Sequence, residues 1–333
     1  MAKNKTDDSV DEMIIDFFED KIKSASTEEE ARKIVESMKN VPFEDFLSEV
    51  YKEFANETVM FFESTMHEKV SDWERENNEF ISNLNQLWGN AFVASKAMYI
   101  MVVESAEMYS EYVAGLDRNE ISNLMYTYGA LRFVHARALQ QFLEILTLIK
   151  NGFADGAYAR WRSMYELVIV AHFINEHGEK VAKSYIESAT TEDQYEWARE
   201  YDPLKKKKGR IALKDIKENS KFNSKIWDSQ YMLANRIIHP SSQGTFSRLS
   251  YLGVPETVLV GPSNYGLSIP AEHSAISLAE ITQLFYGLFA NGEYLVTILY
   301  INEWLDVIRK IYFAIHDEQF PDDSPLLPKM DSK

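Results

Sequence analysis

Apolar side chains recur at the 3.6-residue spacing of a helix along almost the whole chain, and helix-breaking residues crowd into one stretch. That feature restricts the fold to an all-α multi-helix bundle. From Val10 to about Ser24, Met13, Ile14, Phe17, Phe18 and Ile22 form one stripe with acids between them. Thr27 followed by Glu30 is a capping-box signal, opening a second short helix through Met38. Phe43 to about Gly115 reads as two long helices or one bent helix, with few breakers before Gly89. Asn119 to Lys150 reads as one long, buried helix, ended by Asn151-Gly152. Asp155-Gly156 offers an N-cap to the next, which runs to about Asn175. Shorter helices follow to Tyr201, where Asp202-Pro203 breaks the pattern. A further helix covers Asn223 to about Ile238 and is stopped by Pro240.

The breakers gather between Gly244 and Pro270, among them Gly253, Pro255, Gly261, Pro262 and Gly266. They predict a long non-helical loop at about 240–271, with Thr257 to Val260 as a short strand. Helices resume from about Glu272 to Tyr300 and on to Ile315, before a Pro/Asp-rich tail from Pro321. The expected domains are an N-terminal helical arm (1–83) for oligomerisation or partner binding, a helical core (84–318) and a flexible tail (319–333).

The chain's 333 residues are 45% hydrophobic and 13% aromatic, enough to bury a substantial core. Against 35 basic residues stand 52 acidic ones, a formal charge of −17, which works against diffuse binding to phosphate backbones. No cysteine is present, so disulfides, thiolate zinc sites and cysteine nucleophiles are excluded and a cytoplasmic location fits. The N-terminal MAKNKTDDSVDEMIIDFFED lacks the apolar run of a secretory signal. Leu284 to Ala290 and Tyr294 to Ile301 fall short of the roughly 20 apolar residues that span a membrane. Phosphate-loop, dinucleotide, HExxH, GxSxG and EF-hand patterns are absent, and no Glu-x-x-His pair lies on a core helix, so no cofactor or metal is expected.

Polar groups among the greasy helices mark the candidate chemistry. Arg162 and Glu166 are one helical turn apart on a face that continues into Ile169, Val170 and Phe173, so the pair is expected to point partly inward. It reads either as an ion pair stitching helices together or as a carboxylate holding a guanidinium towards an anion. Asn235 and His239 are likewise one turn apart, on a face shared with Asp228 and Tyr231 or Met232. His239 ends its helix, where it is either a C-cap or a general acid or base. Lys205, Lys206, Lys207, Lys208 and Arg210 form a basic knot, either a solvated loop balancing Glu196, Glu200 and Asp202 or a phosphate contact; Arg160 and Arg236 are further candidate anion contacts. Of the other histidines, His135, His172 and His177 sit in or at the ends of core helices, whereas acidic neighbours suggest exposed faces for His67, His273 and His316.

The runs GFADGAYARWRSMYELVIVAHFI, ANRIIHPSSQG and GPSNYGLSIP resemble an uncharacterised bacterial family, the domain of unknown function numbered 5677, over roughly Leu84 to Ile301. That family looks akin to HEPN-type helical domains, several of which are metal-independent ribonucleases of toxin and phage-defence systems. The HEPN pattern is an arginine, a polar residue, three residues and a histidine. Here Asn235 and His239 fill the last two roles while Ala234 stands where the arginine belongs. Arg236 projects about 100° away from that position. The resemblance implies a helical effector or accessory protein in which Arg162, Glu166, Asn235 and His239 bind RNA or a nucleotide and cleave RNA without metal. The alternative is an interaction or assembly module, a homo-oligomer or the partner of another protein through its N-terminal helices, with the polar cluster as a structural network.

Overall fold

The computed structural model describes residues 15, 19–38, 43–192, 194–222, 224–239, 242–246, 249–250 and 259–321. Every regular element among them is helical, in line with the dominant spacing. The chain divides into two compact units, Met1–Glu79 and Phe80–Lys333.

The first unit contains α1, Glu28–Met38. Its start follows the predicted cap in one of two bonds, with the Glu30 carboxylate reaching Ser26, one residue before Thr27. The Glu30 N–H donates to Thr27 Oγ1 at 3.2 Å, and the Ser26 N–H donates to Glu30 Oε2 at 2.9 Å. The next helix, α2, Phe43–Ala114, begins in this unit and ends in the second. It is one continuous helix of 72 residues, the single-helix alternative of the two the sequence left open. Gly89 is absorbed without a break, since a single glycine inside a helix costs only about 1 kcal/mol. Met13, Ile14, Phe17 and Phe18 of the first predicted stripe lie outside the described residues.

The second unit packs the C-terminal part of α2 with α3 (Met125–Lys150), α4 (Ala154–His177), α5 (Glu179–Glu187), α6 (Asp228–Ile238), α7 (Ser268–Tyr286) and α8 (Gly292–Gln319). Short helical turns join several of these. At the centre, α7 buries 15 of its 19 residues. Its polar side chains are satisfied by its neighbours. Trp161 Nε1 donates to Ser277 Oγ at 3.1 Å, Thr282 Oγ1 lies 3.0 Å from His135 Nε2, and Glu272 is ion-paired with Arg309. Where α8 crosses α2, Trp304 Nε1 donates to the Ala94 carbonyl at 3.0 Å, and the Ser95 and Tyr312 hydroxyls are 3.1 Å apart.

Several boundaries differ from expectation, each for a local reason. Asn119–Lys150 is two helices. Asp117 caps a turn at Arg118–Ser122 with Glu120 completing the capping box, and the chain restarts at Met125. There Glu179 of α5 caps α3 from outside, accepting from Tyr126 N at 3.1 Å and Thr127 N at 2.8 Å. Asp155 is not the N-cap of α4, which starts at Ala154. Its carboxylate instead accepts from the Leu249 N–H at 2.7 Å and bonds the Ser250 hydroxyl. Asp202-Pro203 opens a turn at Asp202–Lys205, because proline fits a first helical turn. Pro270 likewise sits in the first turn of α7, so that helix resumes at Ser268.

The predicted loop is therefore shorter than 240–271 and carries a helical turn at Ser242–Phe246. Of the predicted strand, Leu259 and Val260 are in no regular element, while residues 257 and 258 lie outside the described residues, as do 322–333 of the tail. Two glycines hold the described part of the loop on the core. Gly152, at φ 78°, accepts from the Ser263 N–H at 2.9 Å. A Cβ on it would lie 2.8 Å from the Ser263 carbonyl and 2.9 Å from the Phe80 ring. Gly266, at φ 76°, lies so close to the Leu249 carbonyl that a Cβ would stand 2.4 Å from its oxygen.

Candidate functional site

The sequence places Arg162 and Glu166 one turn apart on α4, and packing decides what they face. Trp161 lies against Trp227 with ring centroids 6.2 Å apart. Three residues earlier on α4, the Tyr158 hydroxyl donates to Gln230 Oε1, three residues later than Trp227, at 2.6 Å. These contacts, with the Tyr165 and Tyr231 ring centroids 5.3 Å apart, pack α6 on α4 and lay Tyr231 over the pair.

Glu166 Oε1 accepts from Arg162 Nη2 at 2.9 Å and from the Tyr231 hydroxyl at 2.8 Å, and Arg162 Nη2 is 3.4 Å from that hydroxyl. The guanidinium carbon is 5.4 Å from the Tyr231 ring centroid, within cation–π range. The Arg162 and Glu166 side chains are 29% and 23% exposed. Burial, then the hydrogen bond to Glu166, raises the Tyr231 phenol above its ordinary pKa. Tyr195, close enough to feel Glu166, is pushed up to about 12, chiefly by burial. The result is an Arg–Glu–Tyr cluster whose carboxylate is engaged by protein donors, while the buried Arg162 Nε has no hydrogen-bond partner among the described residues.

The remaining candidates lie elsewhere. Arg160 pairs with Glu144 of α3. Asn235 is half-buried, and its carbonyl accepts from the His239 N–H at 3.1 Å. The His239 ring is exposed at the end of α6 and makes no hydrogen bond or ion pair among the described residues, as is also true of the exposed Arg236 side chain. No hydrogen bond or ion pair links Asn235 or His239 to Arg162 or Glu166 among the described residues. His239 lies eight residues beyond Tyr231, roughly 12 Å along the helix. Pro240 and Ser241, which follow it, lie outside the described residues.

The basic knot is a scaffolded loop. Arg199 donates to the carbonyls of Lys207 at 2.8 Å and Gly209 at 2.6 Å while its other face holds Glu196. Lys207 pairs with Asp215, and Lys205, Lys206, Lys208 and Arg210 are exposed. The Arg199 hydrogen bond keeps the Glu196 carboxyl below its ordinary pKa. Sequence reasoning assigned the counter-charges to Glu196, Glu200 and Asp202 and missed both Arg199 and Asp215.

His273 corrects another expectation. Instead of facing solvent it is 3% exposed, donates from Nδ1 to the Ile269 carbonyl at 2.7 Å, and stands edge-on to Trp161 with centroids 4.9 Å apart. Burial lowers its pKa to about 4. His316 is half-buried, whereas His67 is exposed as predicted. No group of metal-ligating side chains occurs among the described residues, and none of their helices is long and apolar enough to cross a membrane.

A second candidate surface runs along α2. Tyr51, Ala55, Val59, Phe62, Met66, Val70 and Trp73 repeat at intervals of 4, 4, 3, 4, 4 and 3 residues, an eleven-residue period that keeps them on one helical face. All are exposed, Phe62 by 55% and Trp73 by 62%. At the same spacing the series passes through the polar Asn77 and resumes at Ile81, Leu84, Trp88 and Phe92, and the last three are buried core residues of the second unit. The acids Glu57, Glu68 and Glu79 recur at the same period on the opposite side of the helix.

Residues 128–226 match the family described as Family of unknown function (DUF5677). This stretch holds most of α3, all of α4 with Arg162 and Glu166, and the Lys205–Arg210 loop. It is shorter than the resemblance read from sequence and ends before Tyr231, Asn235 and His239. No curated protein and no solved structure matches the chain.

Proposed function

We propose that the chain is an interaction and assembly module that binds through the apolar face of α2, with the Arg162–Glu166–Tyr231 cluster serving as an internal brace between α4 and α6. One observation carries the reading: the spacing that is buried at Leu84, Trp88 and Phe92 recurs, beyond Asn77, as seven exposed apolar positions from Trp73 back to Tyr51. A contiguous apolar strip of this kind marks a surface that another protein covers. The cluster supports the same reading, since Glu166 is engaged by Arg162 and Tyr231. The expected result is that the native chain migrates in a cell extract above its monomer mass, whereas Phe62→Glu runs as a monomer with its helical circular dichroism intact. Identical migration of the two at the monomer mass would refute the reading.

A second reading, metal-independent RNA cleavage by a defence- or toxin-type effector, rests on the HEPN resemblance and on one observation. His239 presents an exposed ring with no partner among the described residues, beside the exposed Arg236. In this reading His239 takes the proton of a 2′-hydroxyl and Arg236 contacts the phosphate. Cleavage by the native chain that His239→Ala abolishes would support it. An intact RNA substrate after incubation with native protein would end it.

A further inference from the structure

Resting on the assembly reading, we propose that the occupant of the α2 face is a second copy of this chain, paired antiparallel about a two-fold axis between Val59 and Phe62. The spacing from Tyr51 to Val70 is itself palindromic, 4, 4, 3, 4 and 4 residues, so reversing the helix returns the same pattern. Antiparallel pairing sets Tyr51 beside Val70 of the second copy, Ala55 beside Met66 and Val59 beside Phe62. Every layer then joins a small side chain to a large one. Beyond them Trp73 meets Ser48, again large against small. Such self-complementarity is what a closed two-fold interface requires, since each copy supplies both halves of every contact.

Charge agrees with this pairing. Glu57, Glu68 and Glu79 lie on the far side of the helix, so these three acids stay out of the interface. Along the flank, Lys52 faces Glu74 of the second copy. Glu63 faces its own equivalent beside the axis, an opposing term that limits affinity. Burying what is exposed of Tyr51, Phe62 and Trp73 supplies on the order of half the roughly 800 Å² per partner of a stable interface, and Val59, Met66 and Val70 add to it.

The absence of native cysteine makes the test clean. Ala55→Cys and Met66→Cys chains are purified, mixed, allowed to exchange and oxidised. A disulfide-linked dimer is expected from the mixture and from neither variant alone, because each cysteine's own equivalent is eleven residues away, roughly 16 Å along the axis and beyond disulfide reach. Sedimentation of the native chain should give the dimer mass, and Glu63→Gln should tighten the dimer several-fold. Disulfides within each variant alone would overturn the antiparallel register in favour of parallel pairing. A purified native monomer that still migrates above monomer mass in extract would overturn self-pairing while leaving the assembly reading standing, with a different protein as occupant. A monomer in both settings would remove both.

Discussion

Tyr231 donates its hydroxyl to Glu166 at 2.8 Å, and through that bond α6 is tied to a carboxylate that Arg162 already holds at 2.9 Å on α4. The two residues are 65 positions apart, so the contact exists only once α6 has packed on α4. An ion pair at this exposure contributes little alone. The phenol adds a third member with a ring that covers the guanidinium, which makes the cluster a brace between helices.

Removing the hydroxyl should therefore loosen α6 without unfolding the core. For Tyr231→Phe the expected loss is about 1 kcal/mol in urea denaturation, since the ring stays while one hydrogen bond to a partly solvated carboxylate disappears. Hydrogen exchange should rise in α6 and stay unchanged in α7. No change in either quantity would mean that the cluster is not a brace.

Gly266 is held at φ 76°, with the Leu249 carbonyl where a Cβ would need to be. Gly266→Ala should cost roughly 2–3 kcal/mol through backbone strain and displacement of that carbonyl. Gly89→Ala, at a helical position where a Cβ meets nothing within 4 Å, should instead be neutral or stabilising. Thermal melts of the two variants check the contrast.

His273 predicts a dependence on pH. Its folded pKa is lowered from 6.5 to about 4, so the folded state keeps it neutral while the unfolded chain takes up a proton below about pH 6.5. Its contribution is fully present above pH 6.5 and is lost as pH falls to about 4. His135, lowered to about 3 by burial, extends the loss further down. Each buried histidine should add a slope of up to about 1.4 kcal/mol per pH unit inside its window. Urea midpoints of the native chain and His273→Gln, measured between pH 7 and pH 4, should diverge at the neutral end and converge at the acid end. Parallel curves would show that this ring titrates alike in the folded and unfolded chains.

The helical class and most of the core were legible because apolar spacing is local information. The Thr27 cap and the Arg162–Glu166 turn are local too; Thr27 accepts from Glu30 as read while the Glu30 carboxylate reaches Ser26 instead, and Arg162 pairs with Glu166. What escaped depends on distant chain. Glu179 caps α3 across 53 residues, Asp155 serves Ser250 instead of its own helix, and the acidic surroundings of His273 gave no sign of the tryptophans that bury it. The grouping of Arg162, Glu166, Asn235 and His239 rested on turn spacing and the family resemblance; spacing fixes a helix face but says nothing of which neighbour that face meets. Conversely, the eleven-residue series on α2 was present in the sequence throughout. It gained meaning only when one part proved buried and the rest bare.

The most direct test of that meaning is the reactivity of a single thiol. Ala55→Cys places it within the apolar series and Glu57→Cys places it on the opposite side of the same helix. In intact cells the first should react with a maleimide at least about tenfold more slowly than the second, because a partner covers one face and leaves the other in water. Equal rates would contradict the account, leaving the face as bare in the cell as it is in the isolated chain.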